Sequence, residues 1–181
     1  SISRSLPLFL LFMTALGAGA AFADQDATIT AARYIPIQHN GRIKPLDSFA
    51  RQLVRFVTGS ERREKKEAII VLLDLLSNKE NIGDTRWIRV DYPELKEKLG
   101  LSENERFFSM NEVVHSVRKI QTLVRDAKLK RDRDERPMKL EQKAEELYSK
   151  MHAVDALASG GNINVLPAPF SSAWGSPYEI K

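Results

Sequence analysis

The sequence predicts a mainly α domain with a few short β-strands (α+β), built from amphipathic helices and ending in a long C-terminal helical hairpin. Three observations predict it. Apolar residues recur at spacings of three and four over several long stretches, the repeat of a one-sided helix. Strand-like alternation is confined to short runs. A content of 43% hydrophobic and 29% charged residues is that of a globular chain, and with no cysteine the fold has only its core to hold it.

The N-terminus reads as a targeting segment. Arg4 is the only charge before Asp24. Between them an apolar run, Leu6 to Met13, gives way to small residues ending Ala21-Phe22-Ala23. A positive start, an apolar stretch and an A-x-A site make residues 1–23 a signal peptide, with cleavage expected before Asp24. The apolar stretch is near the lower length for crossing a bilayer, so retention as an anchor is the alternative. Either way the remainder is read as exported, in the periplasm and membrane-associated if the anchor is kept. Residues 24–33 read as an extended lead-in, residues 34–169 as the helical domain, and residues 170–181 as a tail or a linker to a further segment.

Element by element, Tyr34 to Gln38 alternates weakly and holds a proline, which suits an edge strand. Asn40-Gly41 supplies a two-residue hairpin turn into Arg42-Ile43-Lys44. Pro45 then fits the first turn of a helix, because its missing N–H would be unpaired there anyway. Asp47 complements the dipole at that end. Leu46, Phe49, Ala50, Leu53, Phe56 and Val57 share one side, and Gly59 closes the helix. Residues 61–79 read as a second, central helix around the nearly all-apolar run Ala68 to Leu76. Arg86 to Val90 alternates as a short strand. Asp91 is placed to cap a short helix ended by Gly100. Arg106 to Phe108 is strand-like. Ser109 and Glu112 form a capping box opening a long helix with Val113, Val117, Ile120, Val124 and Ala127 on one face. Pro137 starts the last helix, carrying Leu140, Ala144, Leu147, Met151, Val154 and Ala158 to Gly160. Residues 162–166 are strand-like, stopped at Pro167.

Composition excludes several functions. Opposite charges alternate closely, as from Arg131 to Arg136, within a formal net charge of +4. That is a mixed solvated surface and not a one-signed track for phosphates, so nucleic acid is not an expected partner. Without cysteine there is no thiol nucleophile, redox pair or C-x-x-C-H haem attachment. None of His39, His115 and His152 has a second histidine at i+3 or i+4, so no metal site is assigned; a single axial haem contact stays open. His39 is expected in solvent at the turn. No G-x-S-x-G, H-E-x-x-H or P-loop occurs, and no catalytic residue is assigned.

The candidate binding residues are Arg42, Lys44 and Asp47 at the turn-to-helix junction, with Lys44 and Arg51 placed to pair with Asp47. Trp174 joins them, as an aromatic among serines and a proline where no core is expected. Oriented charge for docking and a purely structural junction are both open from these residues. For Trp174 the docking surface is a partner or a membrane.

The stretch Ile35-Pro36-Ile37-Gln38 followed by Gly41 to Arg51 (GRIKPLDSFAR) resembles a segment of the form PVQDGGRIKPLDTFAR. That segment belongs to the exported part of bacterial system II (Ccs-type) cytochrome c biogenesis proteins. Leu140-Glu141-Gln142, Leu147-Tyr148 and Asn164 to Pro169 resemble a second pattern of that family in the same order, with Phe107-Phe108-Ser109 and Glu112 between. The resemblance implies a non-catalytic periplasmic module of a cytochrome c synthase complex, the machinery that carries haem across the membrane and attaches it. Its partners would be apocytochrome c and the membrane-embedded biogenesis subunit. Haem would be met in the complex, and no bound cofactor is assigned to this chain. The family's tryptophan-rich motif and membrane-embedded histidines are absent here, and His39-Asn40 replaces acid and glycine, so haem ligation does not carry over. The alternative function is a general periplasmic adaptor or scaffold for an envelope complex unrelated to haem.

Overall fold

The computed structural model describes residues 26–39 and 41–160, together with the backbone of 166–167 and 174–175. The expected signal peptide lies outside these residues. Among the described residues the architecture is mainly α, 62% helical with seven α-helices and a few short antiparallel strand pairs.

Helix α1 (26–33) leads into a hairpin of β1 (Pro36–His39) and β2 (Arg42–Pro45). Helix α2 (Leu46–Thr58) follows directly. A second hairpin, β3 (Arg62–Arg63) and β4 (Lys66–Glu67), precedes α3 (Ala68–Ser77). Strand β5 (Ile88–Arg89) pairs antiparallel with β6 (Phe107–Phe108), and α4 (Pro93–Leu99) lies between them in sequence. Helices α5 (Met110–Val114), α6 (Val117–Asp132) and α7 (Lys139–Ser159) complete the domain. Beyond them β7 (Leu166–Pro167) pairs with β8 (Trp174–Gly175).

One core joins these parts. Phe49, Val54 and Val57 of α2, Ile69 and Leu72 of α3, Ile37 of β1, Trp87 and Phe108 of the β5–β6 region, and Leu147, Val154 and Leu157 of α7 are all buried in it. Helices α6 and α7 form the antiparallel hairpin that their apolar spacing predicts. Lys130 Nζ reaches Glu141 Oε1 at 2.7 Å, and the next residue, Arg131, holds Glu145 one turn further along α7. Glu141 also accepts from the backbone N–H of Met138 at 2.8 Å, so a single buried carboxylate caps α7 and ties it to α6. The hydrogen bond from Lys130 holds that carboxyl below its ordinary pKa.

The structure departs from the sequence reading at definite places. Residues 26–33 are helical, not extended, because an alanine-rich stretch gains a face to dock: Ala32 is buried and Ile29 packs on the core. Residues 61–67 are a hairpin, so the second helix starts only at Ala68. Glu64 and Lys65 take the left-handed region (φ 51° and 66°), reversing the chain between β3 and β4. Phe56 is 42% exposed, and Val54, at 0%, takes the core position expected of it. Asp91 caps nothing. Its carboxylate accepts from Arg89 and, at 3.0 Å, from Arg106 Nε, and Tyr92 stands at the N-cap. The capping box of Ser109 and Glu112 is present, but the helix it opens breaks at His115-Ser116. Ser116 there donates to the Leu99 carbonyl at 2.7 Å, pinning the end of α4. The expected tail contains a paired element, since Trp174–Gly175 is hydrogen-bonded to Leu166–Pro167.

Candidate functional site

The junction singled out by the sequence is a two-faced hairpin seated on α2. Its register pairs Pro36 with Pro45, Ile37 with Lys44, Gln38 with Ile43 and His39 with Arg42. Directly opposed residues share a face, so one face carries Ile37, His39, Arg42 and Lys44 and the other Pro36, Gln38, Ile43 and Pro45. Gly41, at φ 72°, supplies the left-handed conformation of the turn.

The inner face is a clamp. Ile37 is fully buried. The His39 ring meets Phe49 of α2 edge to face, centroids 5.1 Å apart. Lys44 Nζ donates to Gln52 Oε1 at 2.8 Å and lies 3.3 Å from His39 Nδ1. Burial, and secondly the Lys44 ammonium, pull the His39 pKa below its ordinary value. A neutral imidazole therefore accepts from Lys44 through Nδ1. His39 is half-buried, not solvated as expected, because Phe49 offers the ring an apolar edge.

Asp47 is held from a direction the sequence did not reveal. Its Oδ1 accepts from Arg33 Nη1 at 2.9 Å and its Oδ2 from Arg51 Nε at 2.8 Å. The expected Lys44–Asp47 pair does not form, since Lys44 turns to Gln52. Arg33 also gives Nη2 to Glu67 Oε2 at 2.6 Å, so one guanidinium ties α1, α2 and β4 together. Its hydrogen bond to Glu67 raises the Arg33 pKa and holds the Glu67 carboxyl below its usual range. A cleft of about 120 Å³ beside this knot is lined by Asp47, Arg51, Glu61, Arg62, Glu67 and Ala68. Arg51 and Arg55 pair there with Glu61 at 3.9 and 3.3 Å. Exposed pairs of this kind contribute little stability, and they leave the cleft wall largely neutralised.

The outer face is open and apolar. Ile43 is 61% exposed, with Pro36 and Pro45 exposed beside it; Tyr34 (75%) and Ile35 (41%) precede the strand. Arg42 stands exposed at the tip, and its side chain has no partner among the described residues. The three predicted junction residues thus separate. Lys44 and Asp47 face inward as structural ties, and Arg42 alone offers free charge. The structure places the backbone of Trp174 opposite Pro167; its side chain lies outside the described residues. Alternation along the hairpin could have placed Ile43 outward. Nothing local could have matched Arg33 to Asp47.

The second resembling pattern also has a local role. Besides Glu141, Gln142 ties the start of α7 to the preceding turn by donating Nε2 to the Pro137 carbonyl at 2.7 Å. His115 Nδ1 lies 2.5 Å from the Asn111 carbonyl, and His152 packs edge to face on Tyr148 at 4.4 Å. Among the described residues no group of three His, Cys, Asp or Glu is placed to hold a metal ion, and no helix is long and apolar enough to cross a membrane. No model of a known protein family matches the chain, and no curated protein matches it either.

Proposed function

We propose that this chain is a non-catalytic periplasmic module of a cytochrome c biogenesis complex. It would dock apocytochrome c or the membrane-embedded synthase subunit through the outer face of the β1–β2 hairpin. The observation that carries the reading is the contrast between that hairpin's two faces. The inner face is fastened by Ile37, His39 and Lys44, which holds the outer one rigid. The outer face leaves Ile43, Pro36 and Pro45 in water, and the hairpin tip adds Arg42, an exposed cation without a partner among the described residues. A preorganised apolar surface with an arginine at its edge has the composition of a protein contact. It coincides with the stretch that resembles the biogenesis family. Haem belongs in this reading to the complex and not to this chain.

The test is capture of apocytochrome c and of the membrane subunit by the exported domain, with holocytochrome yield measured in cells. Ile43→Asp with Arg42→Glu should abolish capture and lower yield while the melting temperature stays put, since both side chains face solvent. Undiminished capture and yield by that double variant would remove the proposal.

A further inference from the structure

Two residues that line one cleft each carry a buried donor without an acceptor. The cleft, about 140 Å³, lies between the β3–β4 hairpin, α3 and the start of β5, lined by Arg63, Lys66, Val71, Leu75, Thr85 and Trp87 among others. Trp87 is fully buried, yet its indole Nε1–H has no hydrogen-bond partner, and neither has Arg63 Nη1. Buried donors are nearly always paired, and each unpaired one costs about 1–3 kcal/mol. Two from one cleft lining mark a place where an acceptor belongs.

We propose that this cleft binds a carboxylate carried on a short apolar stem, with Trp87 Nε1–H and Arg63 Nη1–H as its donors. The chemistry of the walls selects that ligand. Val71 and Leu75 are buried apolar side chains that suit an aliphatic stem. Arg63 is the cation, and a guanidinium together with an indole N–H from the same cleft lining offers two oxygens separate donors. Lys66 does not compete, because its Nζ is committed to Asp74 Oδ2 at 2.6 Å. Phosphate fits poorly, since Glu64 and Asp74 also line the cleft and would repel a multiply charged head. Arg63 is meanwhile braced: Nη2 donates to the Arg86 carbonyl, and the guanidinium lies 4.8 Å from the Phe107 centroid. Its ion pair with Glu64 is loose, at 3.3 Å.

Both donor atoms are sealed from solvent here, so entry requires the Glu64–Lys65 tip to lift. That tip is exposed, and both its residues hold the left-handed backbone without being glycine. Such a conformation costs about 1 kcal/mol or more per residue, so it lowers the penalty for moving. The inference is independent of the docking face on β1–β2, which lies on other residues.

The experiment follows the indole N–H protons by NMR. The chain has two tryptophans, and Trp174→Phe leaves Trp87 as the sole indole signal. Butyrate tests a free acid, and acetyl-Ala-Ala-Val with a free C-terminus tests a peptide carboxylate; butyramide and the peptide amide are the uncharged controls. A saturable downfield shift with either carboxylate and none with its amide is expected, and the stronger of the two names the source. Arg63→Lys should weaken that binding about tenfold or more, from loss of a charged hydrogen bond with the charge retained. An indole proton unmoved by every carboxylate, whether bare or bonded to internal water, would overturn the proposal. So would equal shifts with the amides, or Arg63→Lys binding as well as the parent. The ligand series on the parent chain decides the matter even if the variant does not fold.

Discussion

Glu112 is the residue whose chemistry yields the most quantitative expectation. Its carboxylate accepts two hydrogen bonds from Arg86, at 2.9 and 2.6 Å, and one from the Ser109 backbone at 2.7 Å, while its own N–H donates to Ser109 Oγ. The Arg86 hydrogen bond is the largest cause of a pKa lowered to about 2 from an ordinary 4.5; burial opposes it and the Ser109 contacts assist. At about 1.4 kcal/mol per pKa unit this sets a ceiling near 3 kcal/mol. The Glu112 and Arg86 side chains are 37% and 45% exposed, so solvent screening cuts the contribution to about 1–2 kcal/mol. The folded-state pKa is depressed. The contribution is therefore complete above the unfolded carboxyl pKa near 4.5 and is lost as pH falls toward 2. Glu112→Gln keeps an acceptor for the Ser109 N–H but removes the charge. Urea unfolding of both proteins, from about pH 6 to about pH 2.5, isolates the residue, because the other carboxylates are common to both. The stability gap should be about 1–2 kcal/mol at the upper end and shrink toward the lower. A gap of the same size across that range would refute the assignment of the stabilisation to an ionised Glu112.

Other expectations rest on backbone and buried charge. Gly59 and Gly100 both end helices at positive φ (79° and 72°), so alanine at either costs about 1–2 kcal/mol in denaturant midpoints. At Gly59 a Cβ would also collide with Arg89 Nη1, whereas nothing stands within 4 Å at Gly100. Gly59→Ala should therefore cost about 0.5–1 kcal/mol more, an excess that vanishes in an Arg89→Ala background. Lys96 is buried, and its Nζ donates to the carbonyls of Glu103 and Glu105 at 3.1 and 2.6 Å. Lys96→Met keeps the stem but frees both carbonyls. It should cost about 1–3 kcal/mol and raise amide exchange in residues 101–106 ahead of the rest of the domain.

Short-range physics is legible in the amino-acid sequence itself. Pro45, Asp47 and Gly59 bracket α2, Ser109 and Glu112 box the start of α5, and Gly160 ends α7, because a cap needs only residues within a turn of it. The α6–α7 hairpin is equally visible, since a long one-sided apolar stripe must find cover. In the candidate site, the left-handed Gly41 and the strand position of Ile37 follow from the same local rules, whereas Pro45, expected in the first helical turn, ends β2 and stands extended at the N-cap before Leu46.

What the chain alone could not decide were choices between competing partners. Lys44 could have taken Asp47 and instead takes Gln52, because Arg33 arrives from α1 to occupy the carboxylate. Residues 61–67 could have joined α3, but Arg63 is drawn to the Arg86 carbonyl and the Phe107 ring, remote in sequence. The long helix after Ser109 breaks where Ser116 reaches Leu99. Each of these turns on a group brought close by tertiary packing, at an energy comparable with the local preference it overrides. Helix ends and apolar stripes were therefore written in the sequence, while the facing of the hairpin, the freedom of Arg42 and the unpaired donors of Trp87 and Arg63 emerged only when the core closed.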